Sequence, residues 1–93
     1  MQAVLTCRSD DIMHNLKSDI RVAVVFGPGR KLRPVWFDLD RHKHVIREIT
    51  TSWLERRGET PLLHFHVTDD GALYELVYNM KDAVWKLGRV EPL

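Results

Sequence analysis

The sequence predicts a mainly-β fold with a minor helical part: a small SH3-like antiparallel barrel of five to six strands with a short N-terminal helix. Three observations predict it. Short β-branched and aromatic runs recur from residue 20 onward, turn residues separate them, and the first 19 residues follow a helical pattern instead. The 93 residues are read as one domain, with 1–19 as the helical segment and 20–90 as the barrel core.

Each element has its own signal. Ser9 can cap a helix over residues 10–18, with Asp10 and Asp11 at its positive end and Ile12, Met13 and Leu16 on one side. IRVAVVF (20–26) is β-branched and runs into GPGR (27–30), whose glycines and proline supply turn geometry. RPVWFDL (33–39) carries Pro34 at its start, where a missing N–H is tolerated. A turn over LDRHK (39–43) leads into HVIREITTSW (44–53). LERRGETP (54–61) reads as a polar loop, or as one capped helical turn from Ser52 with Glu55 and Gly58 following. LLHFHVT (62–68), DDG (69–71) and ALYELVYN (72–79) form a strong hairpin signal. MKDA (80–83) then turns the chain into VWKLGRV (84–90).

Composition narrows the function classes. At 44% hydrophobic and 29% charged, the chain is a folded protein rather than a disordered one. A domain this short buries only about 60–65% of its unfolded surface, so its three Trp, three Phe and two Tyr are needed for the core. The net charge of +1 excludes bulk attraction to nucleic acid or anionic lipid and leaves only a local patch for either. The single cysteine, Cys7, excludes an internal disulfide; despite Arg8 beside it, no nucleophile motif surrounds it. No signal-peptide pattern opens the chain, and no apolar run nears the ~20 residues that span a bilayer. A cytoplasmic location without a membrane partner is the expectation.

RPVWF (33–37), VIREITTSW (45–53), GALYELVYN (71–79) and WKLGRV (85–90) follow one another along the chain. Over Arg33–Val90 it resembles a family of small uncharacterised bacterial domains associated with Y-family error-prone DNA polymerases. The chain departs from that pattern at 38–43, where DLDRHK replaces the family's Trp-Arg-Gly turn. The resemblance implies a fold and a link to DNA metabolism, and no catalytic residue.

Two His-x-His pairs, His42/His44 and His64/His66, raise the question of a metal. On a strand, residues i and i+2 share a face, so each pair presents two imidazoles together, and zinc takes three or four such ligands. In LLHFHVT, Leu63, Phe65 and Val67 are expected to face the core, with Leu62, His64, His66 and Thr68 facing out. A hairpin centred near Arg57 sets Thr50 opposite His64, Glu48 opposite His66 and His44 near Asp70. That offset keeps the pairs apart, so polar strand faces are favoured. A divalent-metal protein using His42, His44, His64 and His66 is the alternative, and no cofactor is expected.

No enzyme signature emerges. Asp10–Asp11 and Asp69–Asp70 are explained by a helix start and a turn, and GPGRK (27–31) lacks the spacing of a phosphate loop. Small barrels often hold single strands by stacking bases on exposed aromatics beside Lys and Arg. Here Trp36 is the leading aromatic, with Arg30, Lys31 and Arg33 in one basic cluster and Arg41, His42 and Lys43 in another. Trp36 and Phe37 are adjacent, so on a strand only one of them can face the core. The expected function is a non-enzymatic binding or adaptor module. Its expected partner is single-stranded nucleic acid or a protein of DNA metabolism, and a sheet edge such as 20–26 or 84–90 offers a homodimer contact.

Overall fold

Strand pairing runs only between sequence neighbours in the computed structural model, which describes residues 20–93. Strands β1 (Arg21–Phe26), β2 (Leu32–Leu39) and β3 (His42–Val45) form one antiparallel meander. Strands β4 (Glu48–Arg57), β5 (Thr60–Thr68), β6 (Ala72–Asn79) and β7 (Val84–Pro92) form a second. The 3-10 turn Pro28–Arg30 is the only helical element among the described residues. The expected N-terminal helix, like Cys7, lies outside them.

The fold is mainly β, as the alternating runs predicted, with two corrections. The described residues form seven strands rather than five or six, and their two sheets do not close into a barrel. The extra strand arises because 44–53 is not one strand. At Ile46–Arg47 the chain transfers its hydrogen bonds from one sheet to the other. The Ile46 N–H donates to the Val35 carbonyl (3.1 Å) and the Arg47 N–H to the Thr68 carbonyl (2.7 Å). At the far seam the Ile20 N–H reaches the Trp85 carbonyl (3.3 Å).

Residues 54–61 are not a loop either. β4 continues through Glu55–Arg57, and a two-residue turn at Gly58–Glu59 starts β5 at Thr60. Gly58 sits at φ 59, which glycine adopts without a Cβ clash, and the tight turn lets polar residues remain strand. The turn centre therefore falls beyond Arg57, and Thr50 is bulged out of the pairing. Trp53 rather than Thr50 stands opposite His64, and Thr51 rather than Glu48 opposite His66.

The core lies between the sheets. Phe37 from the first sheet packs with Phe65, Val67, Tyr74, Leu76 and Leu87 from the second. Each such side chain contributes about 1.5–3 kcal/mol when fully buried. Phe65 and Val67 face inward as their alternation predicts, and half-buried Leu63 packs against the same cluster. The opposite face of the second sheet is less wet than alternation implies: Leu62 and Val77 are fully buried and His64 is buried too.

Candidate functional site

Trp36 lies on the face of β2 opposite to buried Phe37, across from Ala23 of β1 and Val45 of β3. It is half-buried, and Lys43 places its ammonium 4.9 Å from the indole centroid. Among the described side chains, the cation against Trp36 is Lys43 of β3. Asp38 and Lys43 are cross-strand partners, and Asp38 is engaged by the Arg21 guanidinium.

Arg33 is exposed on β2, Lys31 is exposed just before it, and Arg30 ends the 3-10 turn. Arg41 is exposed in the two-residue β2–β3 turn, where Asp40 and Arg41 both take positive φ (53 and 67). That is the type I′ pattern, reached here without glycine. Residues 30–47 hold six Lys or Arg against two Asp, although the whole chain is nearly neutral. One of the six, Arg47, is paired with Asp70 at 3.1 Å.

The two His-x-His pairs part company. His42 and His44 belong to the first sheet, His64 and His66 to the second. Among the described residues, no group of three or more His, Cys, Asp or Glu is arranged to hold a metal ion. His42 is exposed opposite Leu39.

His44 turns inward and stacks on Phe37, with ring centroids 5.0 Å apart and planes 10° from parallel. Its Nδ1 lies 2.9 Å from Asp69 Oδ2, which also accepts the Tyr74 hydroxyl at 3.0 Å. Asp69 Oδ1 accepts the Gly71 and Ala72 N–H groups at 2.8 and 2.9 Å. Burial pushes the Asp69 carboxyl up, but the bonds from His44, both amides and Tyr74 outweigh it and hold it at about 2. Burial, then the adjacent Asp69, pushes the Tyr74 hydroxyl above its ordinary value. An ionised Asp69 fixes hydrogen on His44 Nδ1 and leaves Nε2 as the second ring nitrogen. This chemistry orients a histidine and ties β3 to the β5–β6 turn. His44 borders an open cleft of about 490 Å³ with Lys43, Arg47 and Asp70.

His64 has a carboxylate on each nitrogen: Glu55 Oε1 is 2.8 Å from Nε2, and Glu75 Oε2 is 3.3 Å from Nδ1. Both contacts are hydrogen bonds when both nitrogens carry hydrogen. Trp53 covers the ring in a parallel stack (4.7 Å, 6°) and meets His66 edge-on (5.0 Å, 86°). Arg57 is 3.0 Å from the other oxygen of Glu55.

Sequence reasoning missed Asp69, Tyr74, Glu55 and Glu75 as partners of these histidines. Glu75 was within reach, because a hairpin centred on Asp70–Gly71 sets it opposite His66, as observed. Comparison with protein-family models, curated proteins and solved structures returns no match.

Proposed function

We propose that this domain is a non-enzymatic binding module that takes single-stranded nucleic acid on the outward face of the β1–β3 sheet. Trp36 is the stacking surface, Lys43 and Arg41 contact phosphates beside it, and Arg30, Lys31 and Arg33 extend the basic run at the β1–β2 end of the sheet. The observation that carries this reading is Lys43 over half-buried Trp36, within a stretch holding six Lys or Arg and two Asp. A base has a π-face that can share an indole with a cation, and stacking contributes about 1–3 kcal/mol per base. The resemblance to domains associated with error-prone polymerases agrees with a role in DNA metabolism.

The test is fluorescence anisotropy of a labelled oligothymidylate of about 12 nucleotides across a salt series. Affinity is expected to fall with log salt by about 0.7 per phosphate contacted. Trp36→Ala is expected to weaken binding about tenfold or more, and Lys43→Ala to flatten the salt slope by about one contact. Absence of binding at low salt, or binding indifferent to Trp36→Ala, would sink the proposal.

A further inference from the structure

A second recess lies where the two sheets splay apart, between the Gly27–Lys31 turn and the middle of β4 and β5. It is an open cleft of about 530 Å³, inside the ~300–1,000 Å³ range of small-molecule sites. Its apolar surface comes from Val25, Leu32, Ile49 and Phe65, and its cations are Lys31 and Arg33. Phe65 is a buried core residue, and Leu32 and Ile49 pack against the same core, so the cleft reaches the interior between the sheets.

The charge here is one-sided. No carboxylate is among the described lining residues, and neither Lys31 nor Arg33 has an ion-pair partner among the described residues. The wall that carries Lys31 is a hydrogen-bonded turn. The Gly27 N–H donates to the Lys31 carbonyl at 2.7 Å, Pro28 has a fixed φ, and Gly29 occupies φ 73, which suits glycine. A preformed wall lowers the ordering cost of binding.

We propose that this cleft binds a small amphiphile, with an anionic head on Lys31 and Arg33 and an aliphatic body on Val25, Leu32, Ile49 and Phe65. A carboxylate head suits the Arg33 guanidinium, which can donate two parallel N–H bonds to it. Trp36 does not line this cleft, whereas Lys31 and Arg33 are shared with the oligonucleotide surface proposed above. Trp36→Ala is expected to spare decanoate binding and Val25→Trp to spare oligonucleotide binding, so either reading can fail alone.

The experiment is a methyl NMR titration of the full chain with decanoate, below its micelle concentration, against decanol, decyltrimethylammonium and acetate. Decanoate is expected to shift the Val25, Leu32 and Ile49 methyls saturably. Decanol should bind about tenfold more weakly or worse, and the cationic amphiphile and acetate should leave these methyls unmoved. Lys31→Glu with Arg33→Glu is expected to reverse the preference toward decyltrimethylammonium while the circular dichroism stays that of the parent. Val25→Trp, which fills the recess and leaves both cations, should abolish decanoate binding. Equal affinity for decanoate and decanol would overturn the proposal. So would shifts spread over the methyls of exposed Val45, Leu54 and Met80 instead of the cleft.

Discussion

His44 and Asp69 are 25 positions apart in the chain and meet at 2.9 Å across the seam between the two sheets. The carboxylate is held by four donors in all, two of them backbone amides of its own turn. The same side chain therefore shapes the β5–β6 hairpin and anchors β3 to it. Asp69→Asn keeps the shape and removes the charge. Because the Asp69 pKa is lower in the folded chain, its stabilisation is complete above the ordinary value of 3.8 and is lost as pH falls through about 2. The variant is expected to be roughly 2 kcal/mol less stable at neutral pH, with the gap closing across that window. Urea unfolding at several pH values measures it; a gap that persists unchanged into strong acid contradicts the assignment.

Tyr74 works at the other end of the scale. Its hydroxyl is raised above 10.0 by burial and by Asp69, so its contribution is intact below that value and is lost as pH rises past it. Tyr74→Phe is expected to be less stable near neutrality and to show a weaker alkaline fall in denaturation midpoint. Equal alkaline slopes in both proteins would remove Tyr74 from the account.

Gly88 lies in the β7 bulge facing Glu75, where Tyr74 pairs with Val90 and Leu76 with Leu87. A Cβ at position 88 would stand 3.0 Å from Glu75 Oε1 and 3.3 Å from its Cγ. Glu75 is not free to yield, because its carboxylate is on His64 Nδ1. Gly88→Ala is expected to cost about 1 kcal/mol and to displace Glu75 from His64. Imidazole nitrogen shifts of His64 report the displacement directly.

Arg41 and Ala83 are L-residues held at positive φ (67 and 57). Ala83→Gly is expected to add about 0.5–1 kcal/mol, seen as a Tm increase of roughly 4–8 °C per kcal/mol. Arg41→Gly should stabilise to a similar degree and at the same time weaken oligonucleotide binding.

What could be read from the sequence was local. Alternation in LLHFHVT located Phe65 and Val67 in the core, and the Asp-Gly signal located the β5–β6 hairpin. Adjacency alone required Trp36 and Phe37 to part, and Phe37 is the one fully buried. The errors arose where a local rule met a non-local fact. The polarity of Glu55–Arg57 suggested a loop, whereas these residues continue a strand and pair with Thr60–Leu62. Placing the turn centre at Arg57, and not allowing for the Thr50 bulge, hid the stack of Trp53 on His64. The Asp69–His44 contact depends on where β3 lies against the second sheet, which no spacing along the chain encodes.

The transfer of backbone hydrogen bonds at Ile46–Arg47 has a kinetic consequence. Every strand pair is a hairpin of sequence neighbours, so each sheet can assemble from short loops at low closure entropy. Bringing the sheets together is a separate event, and the Ile20–Trp85 bond marks its far end, 65 residues across the loop it closes. Hydrogen exchange at the Ile20 amide should therefore follow the opening of one sheet from the other. Amides in the middle of β5 and β6 should follow global unfolding, and the difference between the two protections measures how firmly the halves are latched.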